Sequence, residues 1–160
     1  MHFKKGFTLV ELLLVISLVS ILSGLCLAII NPRSFFARAR DSKRLANMAL
    51  LMETVERYNI DNGSYPDAMD VMRVSSSLPP GQIGPLVDAE NGWIAGGLSK
   101  YTSVIPIDPV NSDFLVYRYK RLEGSYELDC YMEYYKENAQ SDGGNNETRF
   151  EVGNDMTLLP

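Results

Sequence analysis

A single carboxylate, that of Glu11, lies near the start of a long apolar run. Residues 7–30 contain no other charged side chain, and their hydroxyl groups can bond to carbonyls of their own helix. An acidic side chain at the centre of a membrane-spanning helix costs about 2.5 to 3.5 kcal/mol unless it is paired. We therefore expect Glu11 either to pair with a cation or to lie, without a role, at the level of the lipid headgroups.

A second group of oxygen-bearing side chains lies in the polar segment of residues 140–147. Asp142, Asn145 and Glu147 supply hard oxygen ligands, and Gly143 and Gly144 between them permit a tight loop. Such ligands suit calcium, although their spacing is not that of an EF-hand. The segment predicts either a calcium site or a plain polar turn.

The apolar run that contains Glu11 predicts a helix that crosses a membrane. Residues 7–30 would extend about 36 Å at roughly 1.5 Å per residue, enough to cover a hydrocarbon core of roughly 30 Å. A cleaved secretory signal is the alternative, because two lysines precede the run. The run is longer than the apolar core of such signals, however, and no small-x-small cleavage site ends it.

Beyond the run, Pro32 predicts a helix break, since proline removes a backbone donor and crowds the preceding turn. A plain helix end at this point is the alternative. The helical period then resumes up to residue 62, before Gly63, with an apolar stripe of Leu45, Met48, Leu51, Met52, Val55 and Tyr58. We expect a distal sheet to pack on this stripe and the opposite face, with Asp41 and Arg44, to be solvated.

The C-terminal part of the chain predicts an antiparallel sheet. Alternation is clearest in residues 126–135, where apolar side chains alternate with Glu127, Asp129 and Glu133. Glu123 and Gly124 supply a hairpin turn. Other strands are expected at residues 114–120, 149–152 and 156–159. The fold class is therefore α+β, in which a long N-terminal helix packs on a small sheet with one solvated face.

The segment Met1 to Gly6, followed by Phe7-Thr8-Leu9-Val10-Glu11-Leu12, resembles the class III signal of type IV pilins and pseudopilins. More loosely, "RARDSKRLANMALLMETVERYNIDNGSYP" is similar to the exposed half of the long pilin helix. The resemblance implies a pilin-like ladle. Its four parts are a leader (residues 1–6), a transmembrane and filament-core helix (7–30), the exposed half of the long helix (31–62) and a distal globular domain (63–160).

The resemblance also assigns roles. Gly6 is the residue after which a prepilin peptidase cuts, and Phe7 becomes the N-methylated terminus. Glu11 then pairs with the terminal amine of a neighbouring subunit, which is largely cationic at neutral pH, and Thr8 adds a hydrogen bond. The expected partners are identical or related pilin subunits, membrane lipid, the peptidase, an assembly ATPase and its platform protein. Some pseudopilins bind calcium in a loop comparable to that of Asp142.

Charge bears on partners and on topology. The net charge of −5 becomes more negative when Lys4 and Lys5 are removed, so no nucleic-acid partner is expected. More basic residues follow the run than precede it, which by the positive-inside rule would place the N-terminus outside. The resemblance requires the reverse. The precursor then has its leader in the cytoplasm and its distal domain outside the cytoplasmic membrane, and assembly yields a cell-surface filament.

Catalysis is not expected. The single histidine, His2, precedes Gly6, so removal of the leader leaves no histidine for a nucleophile-base pair. Cys26 and Cys130 lie in different parts of the chain and predict no disulfide framework. The predicted function is therefore a filament subunit of a type IV pilus. A pseudopilin of a type II secretion or competence system and, less favoured, a solitary membrane-anchored binding domain are the alternatives.

Overall fold

The computed structural model describes residues 6–29 and 31–160, without the side chains of residues 27–29. The predicted leader lies outside the described residues apart from Gly6, and so does Ile30. The described chain forms two compact units, of which the first ends at Phe36 and the second begins at Ala37.

The first unit holds helix α1 (Leu9–Ile29) and the start of helix α2 (Pro32–Asn62). Pro32 is the first residue of α2, a position at which its missing N–H would be unpaired in any case. Asn31 precedes it and caps the helix, because its side-chain Oδ1 accepts the N–H of Ser34 at 3.4 Å. Pro32 therefore opens a helix, whereas the predicted kink includes Ile30, which lies outside the described residues.

In the second unit, α2 contributes one side to a continuous hydrophobic core. Met48, Leu51 and Val55 of the predicted stripe are fully buried, whereas Met52 is exposed. The helix ends before Gly63, which has a positive φ of 70° and donates its N–H to the Asn59 carbonyl at 2.8 Å. The core also contains Trp93 and the inward side chains of the sheet.

The sheet is built from four strands, β1 Arg73–Val74, β2 Arg118–Leu122, β3 Ser125–Tyr131 and β4 Arg149–Gly153. They are antiparallel and lie in the order β1-β2-β3-β4. Strands β2 and β3 form the predicted hairpin, with Leu122 opposite Ser125 and Gly124 at a positive φ of 74° in the turn. A short helix, α3 (Lys136–Ser141), separates β3 from β4.

The α+β class is confirmed, but the prediction of a solvated second sheet face is wrong. Glu127, Asp129 and Glu151 on that face are buried. Asp129 accepts hydrogen bonds from Arg118 and Arg149, which neutralise its charge inside the protein. The segment after β4 forms no further strand over residues 156–159, and instead its backbone covers this face.

The prediction that Asp41 and Arg44 lie on a solvated face of α2 is also wrong, since both are fully buried. The carboxylate of Asp41 accepts three successive backbone N–H groups, those of Glu133, Tyr134 and Tyr135, at 3.0, 2.6 and 3.0 Å. Charge-assisted hydrogen bonds of this kind are stronger than neutral ones. Asp41 therefore fixes the segment that follows β3 to α2.

Candidate functional site

The first turn of α1 is closed by a reciprocal contact between Thr8 and Glu11. The N–H and the hydroxyl of Thr8 donate to Glu11 Oε2 at 2.9 and 2.8 Å, and the Glu11 N–H donates to Thr8 Oγ1 at 3.2 Å. This is a capping box, in which the N-cap residue and the acidic residue three positions later satisfy each other's free donors. The negative side chain also lies at the positive end of the helix dipole.

This local role was not predicted, although the Thr-x-x-Glu spacing is its signature. Both capping bonds to the carboxylate use Oε2. Within the described residues, Oε1 of Glu11 makes no hydrogen bond and is open to a further donor. The structure therefore brings Thr8 and Glu11 together and leaves one oxygen of the Glu11 carboxylate without a partner in the described chain.

The predicted processing residues lie in an accessible stretch before α1. The side chain of Phe7 is 79% exposed. A Cβ added to Gly6 would meet no atom within 4 Å, so local crowding does not explain the glycine. Backbone on both sides of the predicted cleavage point is free of regular secondary structure at residues 6–8. The geometry is compatible with access by a peptidase, and cleavage itself stays a prediction.

Helix α1 displays large apolar side chains on all its faces. It carries the one candidate membrane span of the described residues, Leu9–Cys26. A helix that is apolar all round needs lipid or other helices around it, because it has no polar face to turn to water. Two of its serine hydroxyls are satisfied internally, as Ser17 and Ser20 donate to the carbonyls of Leu14 and Ile16 at 2.9 and 2.7 Å.

Basic residues that follow the span are largely engaged by the globular unit. Arg40 donates to both carboxylate oxygens of Glu133 at 2.6 and 2.7 Å, and Arg44 donates to one of them at 2.6 Å. Arg38 lies over the ring of Tyr134, with its guanidinium carbon 4.1 Å from the ring centre. In the folded chain, therefore, a simple count of positive residues overstates the free charge on this side of the span.

Electrostatics within this cluster favour the ionised forms. Hydrogen bonds from Arg40, and then from Arg44, lower the pKa of Glu133 to about 2 against the opposing effect of burial. Burial lowers the pKa of the Arg44 guanidinium, but hydrogen bonds to three carboxylates outweigh it and raise that pKa above its ordinary value. The cluster is therefore a charged, structural contact between α2 and the segment that follows β3.

The three residues of the predicted calcium site have different surroundings. Asp142 accepts the N–H groups of Gly144 and Glu151 at 2.9 and 2.8 Å, so both of its oxygens serve the backbone. Asn145 donates to a carbonyl near the C-terminus, and Glu147 lines a separate cavity of about 150 Å³. Over residues 6–29 and 31–160, no three His, Cys, Asp or Glu side chains are placed to hold a metal ion.

Calcium binding at Asp142, Asn145 and Glu147 stays a prediction. Titration calorimetry on the full chain in detergent, with millimolar Ca²⁺, tests it. Heat of binding that disappears in an Asp142→Asn variant would support the site. Identical heats for the parent and the Asp142→Asn variant would exclude a calcium site at these residues.

The N-terminal part of the chain is similar to a motif of known proteins. A family model described as the prokaryotic N-terminal methylation motif matches residues 1–27. The match covers Gly6, Phe7, Thr8, Glu11 and the greater part of α1. Comparisons with curated proteins and with solved structures find no match for the chain.

Proposed function

We propose that this chain is a structural subunit of a type IV pilus or pilus-like filament, because the methylation motif at residues 1–27 supports a prepilin of the type IV pilin or pseudopilin kind. Cleavage after Gly6 and N-methylation of Phe7 give the mature subunit. Helix α1 holds it in the cytoplasmic membrane and then packs with its counterparts in the filament. The motif points to a structural protein and not to an enzyme.

The observation that carries the proposal is an apolar helix with a single carboxylate in its first turn. Lipid surrounds α1 in the stored subunit, and neighbouring copies of α1 surround it after assembly. Both environments satisfy a helix without a polar face. The α+β architecture of the described chain is consistent with a pilin fold.

Glu11 supplies the directional contact between helices. Its Oε2 is held by Thr8, and Oε1 makes no hydrogen bond among the described residues, so it can accept one from another chain. Cleavage creates such a donor, the amine of Phe7, which stays cationic after methylation. Two unit charges 4 Å apart attract by about 4 kcal/mol at an effective dielectric of 20, which exceeds even the roughly 2.5 to 3.5 kcal/mol cost of an unpaired acid at the centre of a membrane helix. Pairing therefore fixes the axial register of neighbouring helices.

The same chemistry fits a pseudopilin of a type II secretion or competence system, because the motif is shared. Either assignment implies the same partners: related subunits, a prepilin peptidase, an assembly ATPase and a platform protein. The two free cysteines, Cys26 and Cys130, form no disulfide-closed loop. A solitary membrane-anchored domain is the third reading, and it requires neither cleavage nor Glu11.

Mass spectrometry of the N-terminus, on the chain isolated from its native membrane, is the first test. The proposal expects a chain that begins at a methylated Phe7. A chain that still begins at Met1 would refute processing and leave the solitary anchored domain.

A second test separates the charge of Glu11 from its capping role. Glu11→Gln keeps a hydrogen-bonding side chain but removes the charge, and Thr8→Val removes the capping hydroxyl. We expect Glu11→Gln to abolish most surface filaments and Thr8→Val to reduce them less. Ser17→Ala, which removes an internal hydroxyl bond on the same helix, is the matched control. Normal filament numbers in Glu11→Gln would exclude the pairing.

A further inference from the structure

Two adjacent aromatic side chains at the start of α2 are exposed. Phe35 and Phe36 are 63% and 58% accessible, and their rings meet edge to face with centroids 5.8 Å apart. Later on the same helix, Met48 and Leu51 are buried in the core. Adjacent exposed aromatic rings form a continuous apolar surface, and apolar surfaces that are continuous with a membrane span are suited to contact lipid.

A cation accompanies the aromatic pair. Arg33 is exposed, and its guanidinium has no acidic partner among the described residues. It thus differs from Arg40 and Arg44, whose charges are used by Glu133. Arg33, Phe35 and Phe36 together present a positive charge beside apolar rings, which is the composition of side chains that bind at the boundary between lipid and water.

The position of the three residues relative to the span fits that boundary. Helix α1 is about 31 Å long at roughly 1.5 Å per residue, close to the roughly 30 Å of a hydrocarbon core. Arg33, Phe35 and Phe36 follow the end of α1 at Ile29 by four to seven residues. Long side chains on a helix lean towards its N-terminus, so the two rings lean back towards the membrane.

We propose that Arg33, Phe35 and Phe36 form an interfacial anchor that binds the phospholipid headgroup layer on the side of the globular unit. Arg33 contacts lipid phosphates, and the phenylalanine rings enter the boundary with the acyl chains. The anchor defines how deep the subunit rests before assembly. This proposal rests on storage of the subunit in the membrane, which is part of the proposed function, and does not depend on filament assembly.

Lipid is a better occupant than a second copy of the chain because the surface is continuous with the span and carries a free cation. Phosphate groups offer a complementary negative charge along the whole boundary. A docking surface for a second copy would need acidic residues or an apolar groove opposite Arg33. If copies of the chain contact each other here instead, Phe36→Trp should escape quenching while Leu18→Trp is still quenched.

The test uses the full chain in vesicles of phosphatidylcholine and phosphatidylglycerol, with and without lipids brominated near the headgroup. A Phe36→Trp reporter should lose most of its added fluorescence to the brominated lipid. The native Trp93 is fully buried and hydrogen-bonded to the Pro106 carbonyl, so it gives a constant background. Ile60→Trp is the matched control, because Ile60 is also an exposed apolar residue of α2, at 79%, and should stay unquenched.

A third reporter, Leu18→Trp in the middle of the span, separates two kinds of failure when the bromine lies deep in the acyl chains. Quenching of Leu18→Trp without quenching of Phe36→Trp would overturn the interfacial anchor and leave membrane storage intact. Absence of quenching in both would overturn membrane storage and the anchor together. Arg33→Ala should reduce the quenching of Phe36→Trp more in vesicles with phosphatidylglycerol than in vesicles without it. An equal reduction in both kinds of vesicle would show that the charge of Arg33 has no role.

Discussion

Arg44 on α2 donates its Nε and one Nη to the two carboxylate oxygens of Asp108 at 2.6 and 3.0 Å, and both side chains are fully buried. This bidentate pair joins residues that are far apart in sequence. Arg44→Met keeps much of the volume but leaves buried carboxylates unpaired. We expect it to lower the free energy of unfolding by about 3 to 5 kcal/mol. Urea unfolding of the full chain in detergent, followed by Trp93 fluorescence, measures this change.

Arg57→Met is the control for that experiment. The Arg57 guanidinium also contacts a carboxylate, that of Glu53, at 2.6 Å, but both side chains are more than half exposed. Exposed pairs of this kind contribute less than about 1 kcal/mol. Equal losses in Arg44→Met and Arg57→Met would show that burial of the Arg44 cluster does not matter.

The buried carboxyl of Glu127 makes stability depend on pH. Burial, together with the nearby carboxyl of Glu151, raises the pKa of Glu127 to about 8 from an ordinary 4.5, against the lowering effect of N–H groups from Leu158 and Leu159. Between these values the unfolded chain loses a proton that the folded chain keeps. The free energy of unfolding therefore falls as pH rises from about 4.5 to about 8.

A Glu127→Gln variant isolates this effect. Glutamine cannot ionise, and it can donate to the Glu151 Oε1, which has no partner within the described chain. We expect the variant to gain stability over the parent progressively between pH 5 and pH 8 in urea unfolding. Glu123→Gln, in the exposed hairpin turn, should show no such trend. Parallel pH profiles for the parent and Glu127→Gln would contradict the buried proton.

The thiol of Cys130 should react only when the globular unit unfolds. The side chain is fully buried, and burial raises the pKa of the thiol well above its ordinary value. In a Cys26→Ser background, we expect maleimide to modify Cys130 about a thousandfold or more slowly than an exposed thiol, as the stability of an ordinary domain implies. Adding Ser64→Cys to this background supplies the exposed reference. Comparable rates at both positions would contradict the described core.

Local patterns in the sequence predicted the inner side of the globular unit. The alternation of Tyr126, Leu128 and Cys130 gave the buried face of β3, and the Glu123-Gly124 pair gave the turn. Such features depend on neighbouring residues, so periodicity is sufficient to find them.

The outer face of the sheet could not be predicted in this way, because its burial depends on contacts with residues distant in sequence. Glu127 and Asp129 have the charges of a solvated face, but residues near the C-terminus and Arg149 cover and neutralise them. Helix α3 has only six residues, Lys136–Ser141, too few for a helical pattern to stand out. The burial of Asp41 likewise depends on distant backbone groups, and a charged residue on a helix is ordinarily solvated.

The three bonds accepted by Asp41 also determine how the globular unit carries load. A pull that slides α2 past Asp108 and residues 133–135 stretches these three bonds and the Arg44 contacts side by side, so the tension is shared among them. Under shear, the unit should therefore hold its shape up to a threshold force and then rupture in a single step.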